Sequence, residues 1–270
     1  MMAEAMISGL IRKGVASPDA LLAAGPRQDR LDQLISQYGI QGDTDNAKVA
    51  AQGDVVVLAV KPQQLDRVMV GLCDALKPDA LVLSIVAGAA IQRIQESLCH
   101  EIVVRSMPNT PAQIAEGITV WTDSARVTEE QRQMTRQILG ALGEEIYVEE
   151  EYYLNMATAL SGTGPAYVFM FMEAMVDAGV HLGFPRRIAE QLVAQTVRGS
   201  VDYYKKRDVH LARLRNEVTS PGGTSAAALY YLEKAGFRTA LSRAIWAAFE
   251  RSRELGKDAK SHSPEPADKQ

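Results

Sequence analysis

Val55-Val56-Val57-Leu58-Ala59-Val60 is apolar at every position and stops at Lys61-Pro62. A strand that sends apolar side chains to both faces has no wet side, so both faces must be covered. Segments with helical spacing supply the cover. Residues 3–13 place Ala3, Ile7, Leu10 and Ile11 on one face, and Leu31, Leu34 and Ile35 carry the same spacing up to Tyr38-Gly39. Further helices are expected over 65–76, 90–98 and 129–142. Strands are expected over 20–24 (closed by Gly25-Pro26), 81–86, 102–105, 118–121 and 146–148. Alternation of this kind predicts an α/β domain with a doubly wound parallel sheet.

After the acidic run Glu149-Glu150-Glu151 the rhythm changes to helix after helix, over 156–160, 165–182, 186–205, 210–216, 224–234 and 238–255. Pro165 suits a first helical position, and Gly183-Phe184-Pro185 suits a stop. The division expected is a sheet domain over 1–150, an all-helical domain over 151–257 and a disordered tail over 258–270, rich in Ser, Pro, Asp and Lys. Tyr167, Phe169, Met170, Phe171, Met172 and Met175 surround one helix almost completely. Such a helix needs burial on every side, which predicts packing between subunits.

Charge narrows the function classes. A net charge of -4 and a pI near 5.7 argue against nucleic acid or an anionic membrane as the main partner. The apolar run 166–182 is interrupted by Glu173 and Asp177, a poor membrane span. Cys73 and Cys99 have neither metal-ligand nor redox-pair spacing, which predicts free buried thiols in a reducing compartment. The four histidines are scattered, so no metal site is expected.

In a doubly wound sheet, ligands bind beyond the carboxyl ends of the strands. Those ends carry Gly25-Pro26-Arg27, Ala59-Val60-Lys61-Pro62, Ala87-Gly88 and Ser106-Met107-Pro108-Asn109-Thr110-Pro111. Together these small, kinked or polar residues suggest a dinucleotide cleft. No Asp or Glu lies between Leu21 and Gln28, whereas Arg27 is placed to accept the extra phosphate of NADP. NADPH is therefore expected, with NADH as the alternative; a plain surface charge is the other reading of Arg27.

A second site is written in Val218-Thr219-Ser220-Pro221-Gly222-Gly223-Thr224-Ser225. Proline and two glycines stop one element, and Thr224-Ser225 open a helix. The first N–H groups of that helix lack intrahelical partners and carry partial positive charge. Without Cβ atoms at Gly222 and Gly223, an anion can approach them closely. The pattern fits a small carboxylate bearing a second polar atom; an ordinary Ser/Thr N-cap after a turn is the competing reading.

With these segments in hand, the chain resembles the pyrroline-5-carboxylate reductase family. Met2-Ala3-Glu4-Ala5, Leu58 to Gln63, Met107 to Ala112, Leu160 to Tyr167 and Val218 to Ser225 carry the likeness, in order, over about nine-tenths of the chain. The resemblance implies a Rossmann-like domain followed by an all-helical dimerisation domain, in a cytoplasmic enzyme. It also implies homodimers assembled into larger rings such as a decamer. The reaction implied is reduction of 1-pyrroline-5-carboxylate to L-proline, with an active site completed by the partner's Ser220–Ser225 loop. Carried over by position, Asn46, Ala59, Val60, Lys61, Pro62 and Ala87 would line the cofactor, with Gly25 and Arg27 at its adenosine ribose. Ser220, Gly222, Gly223 and Thr224 would hold the substrate carboxylate, and the Ser225 hydroxyl would meet the ring nitrogen. Serine replaces the threonine of many relatives there. Glu151 would lie near the substrate, with an exposed charge in an acidic run as the other reading. Glu217 stands where some relatives carry a neutral polar residue near the cofactor. The absence of lysine between Lys77 and Lys205 weighs against β-hydroxyacid dehydrogenases, which need a catalytic lysine after the same kind of domain.

Such domains open with a strand and a G-x-G-x-x-G/A turn. Met1-Met2-Ala3 falls inside that motif, so the sheet is expected to lack its first strand, between the strands at 20–24 and 55–60. Two expectations follow. In one, the native start of a reductase lies about a dozen residues earlier, the length of a strand and its turn. In the other, the chain as written is a helical oligomerisation protein with impaired catalysis. The intact downstream sites favour the first, and the chain from Met1 is expected to bind NADPH poorly.

Overall fold

The computed structural model describes residues 2–258. They form two compact units: one takes the chain up to Thr163 together with the residues from Ala248, the other is Gly164–Ala247. The tail expected from residue 258 lies, beyond Asp258, outside the described residues.

The first unit holds seven strands: β1 (Leu22–Ala24), β2 (Gln41–Asp43), β3 (Val55–Leu58), β4 (Leu81–Ser84), β5 (Val103–Met107), β6 (Gly117–Asp123) and β7 (Gly143–Tyr147). Its helices are α1 (Met2–Arg12), α2 (Gln28–Tyr38), α3 (Asn46–Ala50), α4 (Leu65–Val70), α5 (Ile91–Leu98), α6 (Glu129–Gly140) and α7 (Tyr153–Ala157). β4 shows why the layers stack as they do. Its side chains alternate faces, and Leu81, Val82 and Leu83 are all at most 1% exposed. Leu81 and Leu83 pack with Met6 and Leu10 of α1, Trp121 of β6 and Leu139 of α6. Val82 packs the other way, with Leu65 and Met69 of α4 and Ile94 and Leu98 of α5. Helices therefore cover both faces, as the sequence demands.

As expected for a sheet that lacks a strand between those at 20–24 and 55–60, it is in two parts: β1 pairs with β2 in parallel, and a separate sheet runs β3-β4-β5-β6-β7. Among the described residues, β1 and β3 each have one side without a strand partner. The sheet departs from expectation in two respects. First, β6 runs antiparallel to β5, although β3, β4 and β5 are parallel, as are β6 and β7. The 108–116 connection is too short for a parallel crossover, which needs about a dozen residues. Second, Gln41-Gly42-Asp43 has no apolar pattern to mark it as a strand. Its ladder with β1, from Leu22 opposite Gln41 to Ala24 opposite Asp43, makes it a strand.

Helix α4 stops at Val70 rather than residue 76. Gly71 caps it, and the chain continues in tight turns through Gly71 N–H to Val68 O and Leu72 N–H to Met69 O. Those turns place Cys73, half-buried, beside Cys99, which is exposed, with their Sγ atoms 2.6 Å apart. The two thiols expected to be buried and independent are neighbours near the surface. Sequence spacing missed this because the strand β4 and helix α5 fold back between them.

In the second unit, α8 (Gly164–His181) and α9 (Arg186–Lys205) form a hairpin, followed by α10 (Leu211–Glu217), α11 (Thr224–Lys234) and the start of α12 (Phe237–Asp258). Val176, Ala189 and Val193 are its buried cluster, and Gly179 lets α9 approach so closely that a Cβ would lie 3.0 Å from the Ala189 Cβ. Phe169, Met170 and Phe171, at 60%, 75% and 43% exposure, are left largely uncovered by the described residues. A small buried cluster beside large apolar exposure is the surface of a self-associating protein.

Among the described glycines, Gly143 has the least room. It has φ +138°, and a Cβ there would lie 2.1 Å from the Gly117 carbonyl oxygen at the start of β6. Gly143→Ala should lower stability by about 3 kcal/mol, through strain and backbone collision. Gly140→Ala, in the last turn of α6 where a Cβ meets nothing within 4 Å, should raise it by about 0.5–1 kcal/mol. Urea denaturation of both variants at one protein concentration checks the opposite signs.

Candidate functional site

In the first unit, the expected cofactor residues fall where strands end. Gly25 follows β1, and Arg27 is the N-cap of α2. Asn46 opens α3 after β2, its helix capped by the Asp45 carboxylate, which accepts from the N–H groups of Ala47 and Lys48. Ala59 and Val60 follow β3, with Lys61 and Pro62 turning the chain toward α4. Ala87 follows β4, ahead of Gly88, which has φ +75°. The exposed Arg27 guanidinium makes no ion pair among the described residues, so it is free for an anion. Free Cβ space at Gly25, where nothing lies within 4 Å, leaves room for a ribose. These residues fit a nicotinamide dinucleotide carrying the extra phosphate.

Glu151 is engaged elsewhere than the exposed-charge reading would have it. One of its carboxylate oxygens accepts from Arg105 Nη1 at 2.7 Å and from the Ile91 N–H at 2.9 Å. It thereby caps α5, whose own N-cap, Ala90, offers no side-chain acceptor. Arg105 sits mid-strand in β5 with its side chain 5% exposed, and its second nitrogen reaches Asn155 Oδ1 at 3.4 Å. Sequence reading passed over Arg105. A lone charge inside an apolar strand was the available signal, because such a charge must be paired.

A second unforeseen feature lies at Leu160-Ser161-Gly162. Residues Thr158–Gly162 form a π-helical turn continuing α7, with the Thr163 N–H bonded to the Thr158 carbonyl at 2.8 Å. The turn packs on the chain after β5: Asn109 Nδ2 donates to the Ser161 carbonyl at 3.2 Å, and a Cβ on Gly162 would lie 2.6 Å from Met107 Cε. Asn109 also accepts from the Ile118 N–H at 3.0 Å. One amide side chain thus joins the π turn to the start of β6. Turns of this kind concentrate at functional sites.

In the second unit, Ser220 to Gly223 is a turn closed by the Gly223 N–H donating to the Ser220 carbonyl at 3.1 Å. Gly222 has φ +72°. A Cβ on Gly223 would come within 2.5 Å of the Ser220 hydroxyl, so only glycine lets that hydroxyl fold over the turn. Gly223 is the N-cap of α11 and provides no side-chain cap, which leaves Thr224 and Ser225 as the first two helical residues. The ordinary Ser/Thr N-cap is therefore not what this segment forms. Ser220, Gly222, Gly223, Thr224 and Ser225 come together at one uncapped helix terminus, a place that attracts anions. Glu217, at the end of α10, is held by Arg207 at 3.2 Å and Arg213 at 3.4 Å.

No group of three or more metal-binding side chains occurs among the described residues, and none of their helices is long and apolar enough to cross a membrane.

Comparison with known proteins gives the chain its family. A family profile described as pyrroline-5-carboxylate reductase dimerisation matches residues 151–255, and one described as NADP oxidoreductase coenzyme F420-dependent matches 1–88. Pyrroline-5-carboxylate reductase from Synechocystis sp. is 41% identical, covering 95% of this chain and 96% of its own. The Escherichia coli protein of that name is 36% identical, covering 95% of each. Among solved structures, the Plasmodium falciparum pyrroline carboxylate reductase with NADP bound superposes with a TM-score of 0.87 at 32% identity, over 94% of each chain. That from Coxiella burnetii gives 0.86 at 36% identity, again over 94% of each.

The Arg105–Glu151 pair yields a stability prediction. Glu151→Ala leaves a buried guanidinium with its main partner gone and should cost about 3 kcal/mol. Replacing both, Arg105→Met with Glu151→Ala, should recover at least half of that loss. Urea midpoints of the two variants against the unaltered protein check it.

Proposed function

Because this chain belongs to the pyrroline-5-carboxylate reductase family, we propose that it reduces 1-pyrroline-5-carboxylate to L-proline, the last step of proline biosynthesis. The observation that carries the reading is the uncapped terminus of α11, with Ser220 folded over it, in a chain that matches reductases of this name along nearly their whole length. The cofactor is a nicotinamide dinucleotide, with NADPH preferred over NADH because Arg27 rather than a carboxylate follows β1.

The division of labour follows from the groups present. Gly25 and Arg27 take the adenosine ribose and its phosphate; Asn46, Ala59, Val60, Lys61, Pro62 and Ala87 line the rest. The small side chains at 59 and 87 let the ligand lie close to the backbone at the strand ends. When bound, the dinucleotide supplies a hydride for the imine carbon of the substrate. The Ser220 hydroxyl and the Thr224 N–H grip the substrate carboxylate, while Gly222 and Gly223 give the turn its shape; the Gly223 N–H, expected to share that grip, is taken by the Ser220 carbonyl. Ser225, one residue further into α11, directs its hydroxyl to the ring nitrogen. There it orients the C=N bond and holds the nitrogen's proton, while the Thr224 hydroxyl steadies the same ring. A protonated imine is already a strong electrophile, so alignment by these groups is the main demand on the protein. Glu151 acts from the first unit by fixing the start of α5, next to the Ala87–Gly88 segment.

Self-association follows from the dimerisation region at 151–255. Homodimers joined into a larger ring such as a decamer are our finer proposal, supported by the apolar exposure along α8. A cytoplasmic location is likewise proposed, supported by the two cysteines being free thiols.

Two outcomes test the reading. Ser225→Ala should lower kcat for pyrroline-5-carboxylate by roughly a hundredfold, in the range for loss of a proton-handling group. KM and the mass from light scattering should stay put; an unchanged kcat would remove Ser225 from the reaction. Arg27→Glu should raise KM for NADPH by about tenfold or more while sparing NADH, since one charge-assisted contact to phosphate is lost and a repulsion gained. Steady-state kinetics with each cofactor decides it.

A further inference from the structure

We propose that Cys73 and Cys99 are a reversible dithiol–disulfide pair that staples the turn after α4 to the C-terminal end of α5. The Sγ atoms are 2.6 Å apart, about half an ångström beyond the ~2.05 Å of a disulfide bond. Both thiols are presented from anchored backbone. Cys73 follows Leu72, which is 3% exposed, and Cys99 lies between Leu98 at 1% and His100 at 8%. The His100 ring is fixed by a contact of 2.6 Å between Nε2 and the Ala80 carbonyl. Cys99 itself caps α5 in the left-handed region, at φ +50°, a place usually given to glycine or asparagine. A non-glycine residue held there is uncommon, and it aims this side chain at Cys73.

The environments give the two sulfurs different parts. Cys99 is exposed and Cys73 half-buried, so Cys99 meets an oxidant first. Close contact with the Cys99 sulfur, partial burial, and the charges of Cys99 and then Asp74 push the Cys73 thiol up to about 11. Cys73 is thus kept protonated until Cys99 has reacted. The oxidant is a small-molecule disulfide, RSSR. The Cys99 thiolate attacks it, forming a Cys99–SR bond, breaking the RS–SR bond and releasing RS⁻, which takes up a proton. Cys73 then loses its proton to solvent and attacks the Cys99 sulfur, forming the Cys73–Cys99 bond and expelling the second RS⁻. In sum, two protein thiols are oxidised and one RSSR is reduced to two RSH.

The bond would sit at the ends of α4 and α5 remote from Lys61-Pro62 and Ala87, where the same helices begin. It would therefore stiffen the α4–α5 layer without touching the residues assigned to the cofactor. The inference stands whether or not the reductase reading does.

The chain has only these two cysteines, so the assay is unambiguous. The full-length reduced protein is incubated with oxidised glutathione and followed by intact mass, thiol titration and thermal unfolding. The expected result is loss of both thiols per chain, a mass lower by two hydrogens and no retained glutathione. Tm should rise on the order of 5–10 °C, as closing a loop of this length predicts, and dithiothreitol should reverse it. Cys73→Ser should instead stop at a stable glutathione adduct on Cys99, with no rise in Tm. A lasting adduct on the unaltered protein, disulfide-linked chains on a non-reducing gel, or two unreacted thiols would each overturn the proposal. So would an internal disulfide that leaves Tm unmoved, because the staple would then hold nothing.

Discussion

The first unit rests on the burial of β4 from both sides. Leu81 and Leu83 look one way, Val82 the other, and water reaches none of them. Each such side chain adds roughly 1.5–3 kcal/mol when fully buried. The larger consequence is geometric. A strand buried on both faces must have helices on both, so each connection leaves the sheet at an edge. Parallel neighbours put those exits at the same edge, which is where Ala59 to Pro62 and Ala87-Gly88 lie. The position of the residues proposed to line the cofactor is therefore a by-product of how the core is closed.

Two joints keep that edge in shape. Arg105 and Glu151 tie mid-strand β5 to the N-terminus of α5, which starts just beyond Ala87-Gly88. Asn109 ties the exit of β5 to the π turn and to β6. Both are polar side chains working where the surrounding surface is apolar, so each must be satisfied, and each fixes direction as well as distance. The second unit is built differently. Its few buried residues cannot hold five helices in place, and Phe169, Met170 and Phe171 remain uncovered. Its stability is inseparable from association.

Legibility differed with the range of the forces. The alternation of apolar runs and helical spacing exposed most elements, and Arg186–Lys205 and Thr224–Lys234 fall where the spacing puts them. Features set by pairing escaped: β2 has no side-chain signature, and the antiparallel turn into β6 follows from a connection too short to cross over. Of the site, the Ser220–Ser225 loop was readable because turn, glycine and helix start are consecutive in the chain. The role of Glu151 was not, since its partners lie sixty and forty-six positions away along the sequence.

What the sequence alone determined is whatever depends on neighbours within a few residues: periodicity, caps, turns and the anion-attracting start of α11. Which segments become one sheet and in what direction was left to tertiary structure, as was where a buried arginine finds its carboxylate. Tertiary structure also decided that two thiols twenty-six residues apart should touch. The physical reason is that side-chain contacts act over a few ångströms, while the chain can bring any two distant residues that close only once the whole core has chosen its packing.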